Sequence, residues 1–330
     1  MKSPAIVFTK PNHTELQSIE MPDPGEGEVQ LRTLYSTLSP GTEGWLLQDL
    51  FTWQKTHYPG VPGYQRVGVI TKIGQGVTGW HEGDKVFASV GCWQGPVPPI
   101  WGAHLAVGNT RANELYRIPD GVGDLDTSSA LVAQVGYNAA YRPTLQPGDW
   151  VVVYGDGIIG QSAAQAARSR QAKVILVGHR AERLALAKKF STDHVINNRE
   201  QSVGDTVTAL TNGEPVKIVL DTVQNESAQK EYDGLLPRGT GQIVYCGFTP
   251  GTVWADMARL QQRELTTHFI AGWSRARVES TLDLLAQGRM NMKALITHQV
   301  PYQRGPEMYD MILRKNEPFM GITLDWTDAP

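Results

Sequence analysis

The stretch "DWVVVYGDGIIGQSAAQAA" (149–167) carries the clearest structural signal in this chain of 330 residues. A run of apolar residues ends at a glycine, and an alanine-rich segment of helical composition begins shortly afterwards. Between them, Gly155, Gly157 and Gly160 have the spacing G-x-G-x-x-G. Such a loop binds dinucleotide phosphates, because glycines permit a tight turn and a close approach of backbone to pyrophosphate. The stretch therefore predicts a dinucleotide site; the alternative is a glycine turn that holds no ligand.

The segments after this loop continue to alternate between strand and helix. Apolar runs typical of buried strands are "KVILVG" (173–178), "KIVLDTV" (217–223) and "GQIVYCGF" (241–248). Between the first two, "AERLALAKKF" (181–190) has the composition and period of a helix. This alternation predicts a doubly wound parallel sheet.

The two ends of the chain have a different pattern. Residues 5–122 consist of short apolar runs separated by turns rich in Gly, Pro and Asp, which is typical of a β-rich domain. A chain of this length exceeds the usual size of a single core. We therefore predict an α/β protein with two domains. The β-rich domain comprises 1–125 and 296–330, and the dinucleotide-binding domain comprises 126–295.

Composition excludes several classes of function. The formal net charge is -3, which does not favour a nucleic acid or an anionic membrane as partner. No apolar run is long enough to span a bilayer, and the first ten residues lack a signal-peptide pattern. Cys92 and Cys246 are the two cysteines, so a disulfide framework and a cysteine-rich zinc site are excluded. A reduced, cytoplasmic location is expected.

A cationic cluster follows the second predicted strand. In an NAD-type site an acidic residue ends that strand and binds the ribose 2′-hydroxyl. Here the strand ends at Gly178, followed by His179 and Arg180, with Arg183 one turn later. Glycine leaves room there, and the forked donors of arginine suit a phosphate. We predict NADP(H) as the cofactor, with its 2′-phosphate on the arginines. The alternative is a solvated first turn of a helix, where the helix dipole disfavours cations.

Two further strand ends are predicted to face the same cofactor. The segments "VLDTVQ" (219–224) and "YCGF" (245–248) end buried strands, and we expect Cys246 to be packed rather than nucleophilic. The complete predicted cofactor site is Gly155, Gly157, Ile158, Ile159, Gly160, Gly178, His179, Arg180, Arg183, Thr222, Val223, Cys246, Gly247 and Phe248.

Phrases along essentially the whole chain resemble the medium-chain dehydrogenase/reductase superfamily. They include "VPGYQRVGVI" (61–70), "TGWHEGDKVFA" (78–88), "WGAHLAV" (101–107) and "LDLLAQGRMNMKALITHQVP" (282–301), together with the glycine-loop stretch. The resemblance implies a GroES-like catalytic domain and a Rossmann domain, with substrate and nicotinamide in the cleft between them. It also implies a homodimer through the edge of the nucleotide-binding sheet.

A weaker resemblance is to the branch that includes bacteriochlorophyllide hydroxyethyl dehydrogenase. It rests on "SPGTE" (39–43), "VPGYQRVG" (61–68) and "ITLDW" (322–326). Gly321 departs from that branch, where a lysine is expected, so its substrate is not carried over to this chain.

The chain departs from the zinc-dependent members of the superfamily. They have Cys-Gly-x-Asp followed by Gly-His-Glu, whereas this chain has "PGTE" (40–43) and "GYQ" (63–65). Pro40 replaces the cysteine, Tyr64 replaces the histidine, and Leu131 stands where a third ligand is often found. Proline and leucine side chains cannot ligate Zn²⁺, and tyrosine rarely does so. We therefore predict no metal.

Without a metal, hydrogen-bond donors must polarise a carbonyl and manage the proton. Thr42 matches the proton-relay Ser/Thr of the superfamily. Tyr64 takes a former ligand position, where a phenol can donate to the substrate oxygen; the alternative is plain core packing. Glu43 is either an acid/base group or the structural partner of an arginine such as Arg66. His104 lies nearer to this presumed site than the other histidines.

Four tryptophans are predicted in loops around the same site. A flat, hydrophobic or sugar-like substrate would pack on them, and rim packing or a dimer contact is the alternative. They are Trp45, Trp53, Trp93 and Trp101.

These features predict an NADP(H)-dependent, zinc-independent oxidoreductase that acts on a cyclic, aromatic or sugar-like alcohol/carbonyl pair. One alternative is an NADPH-dependent reductase of enone or quinone C=C bonds, since "LSPGTE" (38–43) faintly resembles the Asn-Pro-x-Asp turn of those enzymes. The other is a non-catalytic sensor or scaffold that binds NADP(H).

Overall fold

The computed structural model describes residues 1–250 and 255–330. The chain divides into two compact units, one formed by Met1–Leu131 with Ile296–Pro330 and the other by Val132–Leu295. The chain first passes from one unit to the other after Leu131, whereas the boundary predicted from the sequence is after residue 125. The reason is that Ser128 Oγ lies 2.8 Å from Thr37 Oγ1, and the Leu131 N–H donates to Gln65 Oε1 over 3.1 Å.

The described strands are β1 (Lys2–Lys10), β2 (His13–Glu20), β3 (Glu28–Leu38), β4 (Arg66–Ile73), β5 (Lys85–Ala88), β6 (Val107–Arg111), β7 (Leu115–Arg117), β8 (Trp150–Tyr154), β9 (Lys173–Gly178), β10 (His194–Asn197), β11 (Val216–Asp221), β12 (Gln242–Tyr245), β13 (Thr266–Phe269), β14 (Ile296–Pro301) and β15 (Gly321–Asp325). The described α-helices are α1 (Pro40–Leu47), α2 (Asp124–Ser128), α3 (Ala130–Tyr141), α4 (Ile158–Ser169), α5 (Ala181–Phe190), α6 (Val203–Thr211), α7 (Glu226–Tyr232), α8 (Met257–Gln262), α9 (Arg275–Ala286) and α10 (Gly305–Arg314). None of these helices is long and apolar enough to cross a bilayer.

The second unit is built on a six-stranded parallel sheet with the order β10-β9-β8-β11-β12-β13. This is the doubly wound order of the Rossmann fold, as the alternating pattern predicts. Every residue of β8 is buried, because helices cover a parallel sheet on both faces. Val152 pairs with Ile175 on one side and with Val219 on the other, at the centre of the core. The loops that follow neighbouring strands therefore meet at one edge of the sheet.

The first unit is built on a seven-stranded, mostly antiparallel sheet with the order β14-β15-β3-β4-β5-β7, in which β6 also pairs with β3. The end of the chain completes this sheet, because β15 pairs antiparallel with β3 and β14 pairs parallel with β15. Leu38, Leu324 and Trp326 belong to the core on which α1 and α10 pack. The predicted α/β class, with a GroES-like and a Rossmann part, is confirmed by this architecture.

A helix occupies a stretch in which only strands and loops are predicted. The residues "PGTEGWLL" form α1, with Pro40 in the first turn, where its missing N–H costs no hydrogen bond. Trp45 therefore lies on a helix and not in a loop. Two glycines make this a poor intrinsic helix former, so packing of Leu46 and Leu47 into the core must stabilise it.

Candidate functional site

Two of the three glycines in the loop after β8 are required by the packing of the chain itself. Gly155 has a φ of +113°, and a Cβ there would lie 2.0 Å from Thr222 Oγ1. A Cβ on Gly160 would lie 1.9 Å from the Gly155 carbonyl oxygen. These two positions fix the tight turn and the close packing of α4 on β8, whether or not a ligand is present.

The middle glycine is different. Gly157 has an ordinary extended backbone, and the nearest atom to a Cβ there would be Arg183 Nη1 at 3.7 Å. The fold therefore does not require glycine at 157, and the space in front of it is open. This position precedes the N-terminus of α4, whose first N–H groups have no side-chain cap. An open backbone at a helix N-terminus is what a pyrophosphate needs, so the loop fits a dinucleotide.

The cationic cluster after β9 already has an anion, which is Asp156 of the glycine loop. Asp156 Oδ1 accepts from Arg180 Nη1 at 2.7 Å and lies 3.7 Å from Arg183 Nη1. Asp156 Oδ2 accepts the backbone N–H groups of His179 and Arg180 at 3.0 and 2.9 Å. Burial opposes ionisation of this carboxyl, but these backbone donors and the Arg180 guanidinium outweigh it and lower the pKa of Asp156.

The space beside Gly178 is filled by Asp156 and is not open to a ligand. A Cβ on Gly178 would lie 2.5 Å from Asp156 Cβ. The sequence shows no partner for the arginines because the carboxylate lies more than 20 residues earlier. The sequence feature that could have indicated this carboxylate is the charged residue between the first two glycines of the loop.

The cluster keeps an excess of positive charge at its surface. One carboxylate faces two guanidinium groups; the Asp156 side chain is 1% exposed, whereas that of Arg180 is 48% exposed. Burial and the neighbouring Arg180 lower the pKa of His179, so its ring stays neutral at neutral pH. Gln161 Nε2 donates to the carbonyls of Asp156 and Arg183, which ties the cluster to the glycine loop.

The predicted residues after β11 and β12 lie at the same edge of the sheet as the glycine loop. Thr222 Oγ1 donates to the Tyr154 carbonyl at 2.8 Å, which fixes the adjacent turn. Cys246 is buried, its thiol lies 3.3 Å from the Asp221 carbonyl, and burial raises the pKa of the thiol. The side chains of Val223 and Phe248 are exposed.

In the first unit, the structure brings Tyr64 and Thr42 together. The Tyr64 phenol interacts with the hydroxyl side chains of Ser39 and Thr42, which favour its ionised form less than burial opposes it. Burial raises the pKa of Tyr64 far above its ordinary value, so the phenol keeps its proton at neutral pH. Its ring packs edge-on against Trp101, whose backbone has a φ of +69°. A bulky residue rarely adopts this conformation, and such strain is typical of functional sites.

Glu43 lies in a closed network of hydrogen bonds. Its Oε1 accepts the Ser39 N–H at 2.8 Å, and its Oε2 accepts from His104 Nε2 at 2.9 Å and from the Tyr309 hydroxyl. His104 Nδ1 lies 2.8 Å from Ser36 Oγ. Both side chains of the Glu43–His104 pair are fully buried. The sequence carries no signal for Tyr309, which is 266 positions from Glu43.

Arg66 is not the partner of Glu43, so that alternative is wrong. Its guanidinium donates to the Gly108 carbonyl at 3.1 Å and to Thr110 Oγ1 at 2.6 Å. It is fully buried, and burial lowers the pKa of Arg66 to about 10.

Comparison with known proteins decides the family. Residues 25–113 match the family described as alcohol dehydrogenase GroES-like domain, and residues 159–287 match the family described as zinc-binding dehydrogenase. The chain belongs to the medium-chain dehydrogenase/reductase superfamily.

Proteins of the same fold have been solved with different cofactors. A sorbitol dehydrogenase from Halalkalibacterium halodurans is 28% identical over 91% of this chain and 92% of its own length. An alcohol dehydrogenase from Escherichia coli, solved with NADH, has a TM-score of 0.84 at 22% identity, covering 98% of this chain and 99% of its own. A putative zinc-binding dehydrogenase from Sinorhizobium meliloti, bound to NADP, has a TM-score of 0.84 at 17% identity with the same coverage. These two structures support the fold alone, which leaves the choice of cofactor to local residues.

The zinc of many superfamily members does not fit the residues of this chain. Leu131 and Pro40 offer no side-chain ligand atom, and the Tyr64 phenol, whose pKa is raised by burial, is a poor source of the anionic oxygen that a metal would bind. Gln65 is also engaged at both ends of its amide: Nε2 donates to the Thr37 carbonyl and Oε1 accepts the Leu131 N–H. Across 1–250 and 255–330, no group of three or more His, Cys, Asp or Glu residues could hold a metal ion.

Proposed function

We propose that this chain is an NADP(H)-dependent, zinc-independent oxidoreductase that transfers a hydride between nicotinamide and an alcohol/carbonyl substrate. The observation that carries the proposal is the buried Tyr64 phenol, which stands where zinc-dependent members of the superfamily have a metal ligand and interacts with the hydroxyl side chains of Ser39 and Thr42. A donor of this kind performs the polarising task that a metal performs elsewhere.

The cofactor half of the proposal rests on the second unit. The open backbone at Gly157 would take the pyrophosphate, and the exposed guanidinium of Arg180 would take the 2′-phosphate. The nicotinamide, when bound, supplies or accepts the hydride.

Three residues of the first unit divide the remaining work. Tyr64 donates a hydrogen bond to the substrate oxygen and passes it a proton during reduction. Thr42 and Ser39 orient the phenol and can return the proton through their hydroxyls. For Glu43 we propose a positioning role in place of the predicted acid/base role, because its carboxylate is sealed and its Oε1 holds the Ser39 backbone.

The substrate class follows from the aromatic side chains and from the relatives. Trp101 lies against Tyr64 in a strained conformation, and Trp45 stands one turn after Thr42 on α1. Aromatic faces bind cyclic, aromatic or sugar-like alcohols, and the similarity to a sorbitol dehydrogenase favours a polyol or sugar. Trp93 is buried and bonded to the Val97 carbonyl, and Trp53 packs on Phe51, so these two tryptophans take no part in the proposal.

A cytoplasmic homodimer completes the proposal. β13 is an edge strand of the sheet among the residues described, and Phe269 at its end is 74% exposed. An unpaired edge with an exposed aromatic residue favours pairing with a second copy of the chain.

The experiment that tests this function compares Tyr64→Phe with Tyr302→Phe. Both tyrosines are 8% exposed and belong to the first unit, but Tyr302 stacks on Trp326, whereas Tyr64 packs on Trp101. With polyols, cyclic alcohols and the matching ketones, we expect Tyr64→Phe to lower kcat by about 100-fold or more at unchanged NADPH affinity. Tyr302→Phe should retain full activity.

Other outcomes identify the alternatives. Stoichiometric zinc in the purified protein, or inactivation by a chelator, would refute zinc independence. Turnover of enones or quinones but not of alcohols would establish the C=C reductase. NADPH binding without any turnover would favour a sensor or scaffold.

A further inference from the structure

Asp156 lies where a dinucleotide site of this fold selects the ribose. β8 and β9 are adjacent and parallel, so the loops that follow them meet at one edge of the sheet. In NAD-type sites the acidic residue at the end of the second strand binds the ribose 2′-hydroxyl. Here β9 ends at Gly178, and the carboxylate beside it is supplied by the glycine loop instead.

The carboxylate of Asp156 is fixed in orientation. Two backbone N–H groups, those of His179 and Arg180, bind Oδ2. Oδ1 therefore points at the two guanidinium groups, 2.7 Å from Arg180 Nη1 and 3.7 Å from Arg183 Nη1. Rotation of the carboxyl away from the arginines would break both backbone hydrogen bonds.

An anion that approaches this cluster meets opposing charges. The half-exposed Arg180 attracts it, and the buried carboxylate behind Arg180 repels it. Both charges lie well within one Debye length of about 8–10 Å, so solvent ions screen neither of them strongly. Arg180 must also divide its donors between Asp156 and the incoming anion. A ribose hydroxyl, which is uncharged, meets no such repulsion.

The geometry points to Asp156 as a specificity-determining residue that limits the preference of this chain for NADP(H) over NAD(H). Its carboxylate opposes the 2′-phosphate and competes with it for Arg180. This inference rests on the proposed function, since it assumes that the cationic cluster is the 2′-phosphate site. A neutral residue at position 156 increases the preference for NADP(H) over NAD(H).

The test uses two fragments that differ only in the 2′-phosphate, 2′,5′-ADP and 5′-AMP, in calorimetric titrations of the full chain. In Asp156→Asn, one side-chain oxygen still accepts the two backbone N–H groups, and the charge is removed. We expect the affinity for 2′,5′-ADP relative to 5′-AMP to rise about tenfold. Asp156→Ser, which also removes the charge, should shift the ratio in the same direction, and circular dichroism verifies the fold of both variants.

Asp193→Asn is the matched control. Asp193 Oδ2 accepts the Val174 N–H at the opposite end of β9, and Oδ1 lies 3.2 Å from Arg168 Nε. Asp193→Asn removes the same charge as Asp156→Asn and the same kinds of contact. We therefore expect its ratio of affinities for 2′,5′-ADP and 5′-AMP to stay unchanged. A ratio in folded Asp156→Asn and Asp156→Ser that stays constant or falls overturns the inference.

Arg180→Ala separates this inference from the proposed function. If Arg180→Ala weakens 2′,5′-ADP binding while Asp156→Asn leaves the ratio unchanged, the phosphate site stands and the role of Asp156 is refuted. If the wild-type chain binds neither fragment, both are refuted.

Discussion

Glu43 and Asp156 are both buried carboxylates, yet their surroundings differ. Glu43 accepts one backbone N–H with Oε1 and two side-chain hydrogen bonds with Oε2. Asp156 accepts two backbone N–H groups with Oδ2 and one side-chain hydrogen bond with Oδ1. The side-chain donors to Glu43, from His104 and Tyr309, are themselves fully buried. The donor to Asp156 is the half-exposed Arg180. The exposure of the donors, rather than that of the carboxylate, therefore separates a structural network from a site that can receive a ligand.

Removing the negative charge of Glu43 and of Asp156 in separate variants provides the strongest test of this contrast. Glu43→Gln should lower the free energy of unfolding by about 2–3 kcal/mol, because an amide N–H₂ then faces buried donors. Asp156→Asn should cost less than Glu43→Gln, because the amide oxygen can keep the two backbone N–H groups and water can solvate the half-exposed Arg180. Urea unfolding of both variants measures the two values. Equal losses, or a larger loss for Asp156→Asn, would contradict the distinction between the two carboxylates.

The glycine loop allows the same separation of structure from binding. Gly157→Ala should leave the free energy of unfolding within about 0.5 kcal/mol of wild type, because a Cβ there meets no atom closer than 3.7 Å. Because the methyl group would enter the space proposed for the pyrophosphate, the affinity for NADPH and for NADH should fall more than about tenfold.

Gly160→Ala is the opposite case, because its Cβ would collide with a backbone oxygen 1.9 Å away. It should destabilise the fold by about 1–3 kcal/mol. Thermal unfolding and fluorescence titration measure both properties in each variant. Full cofactor affinity in Gly157→Ala would show that the open space is not a ligand site.

Alkaline pH tests the surroundings of the tyrosines, and it has no effect on them below the ordinary tyrosine pKa of about 10. Seven of the eleven tyrosines have a raised pKa in the folded chain, chiefly through burial. Above that pH the unfolded chain releases protons that the folded chain keeps, so the free energy of unfolding falls as pH rises. The seven tyrosines with a raised pKa are Tyr35, Tyr58, Tyr64, Tyr154, Tyr232, Tyr245 and Tyr309.

Absorbance at 295 nm follows this ionisation. In the folded protein these tyrosines should not titrate near pH 10, and their phenolate signal should appear together with loss of circular dichroism. Ionisation of all eleven near pH 10 with the fold intact would refute the buried hydroxyl environments, that of Tyr64 included.

Local sequence patterns predict the parts of the fold that depend only on residues close together in the sequence. The apolar runs of β8, β9, β11 and β12, and the glycines between β8 and α4, follow from burial and turn geometry within a few residues. The α1 helix does not, since its glycine-containing sequence is a poor helix former and depends on tertiary packing.

The partners of charged groups are the least predictable part of the site. Pairs such as Glu43 with Tyr309, or Asp156 with Arg180, join segments that only the folded sheet brings together. The sequence identifies Tyr64 and Thr42 as neighbours only through the superfamily resemblance. It identifies the cationic cluster directly, but not the carboxylate beneath it.

The most direct test of the central claim is a fluorescence titration of the metal-analysed protein with NADPH and with NADH. Arg180→Ala is titrated in parallel, with Arg168→Ala as control, because Arg168 also pairs with an aspartate in the second unit. The proposed function predicts that NADPH binds at least about tenfold more tightly than NADH, a difference of about 1.4 kcal/mol. Arg180→Ala should lose this difference and Arg168→Ala should keep it. Equal affinity for the two cofactors in the wild-type chain, or binding of neither, would contradict the assignment of the cationic cluster as the 2′-phosphate site.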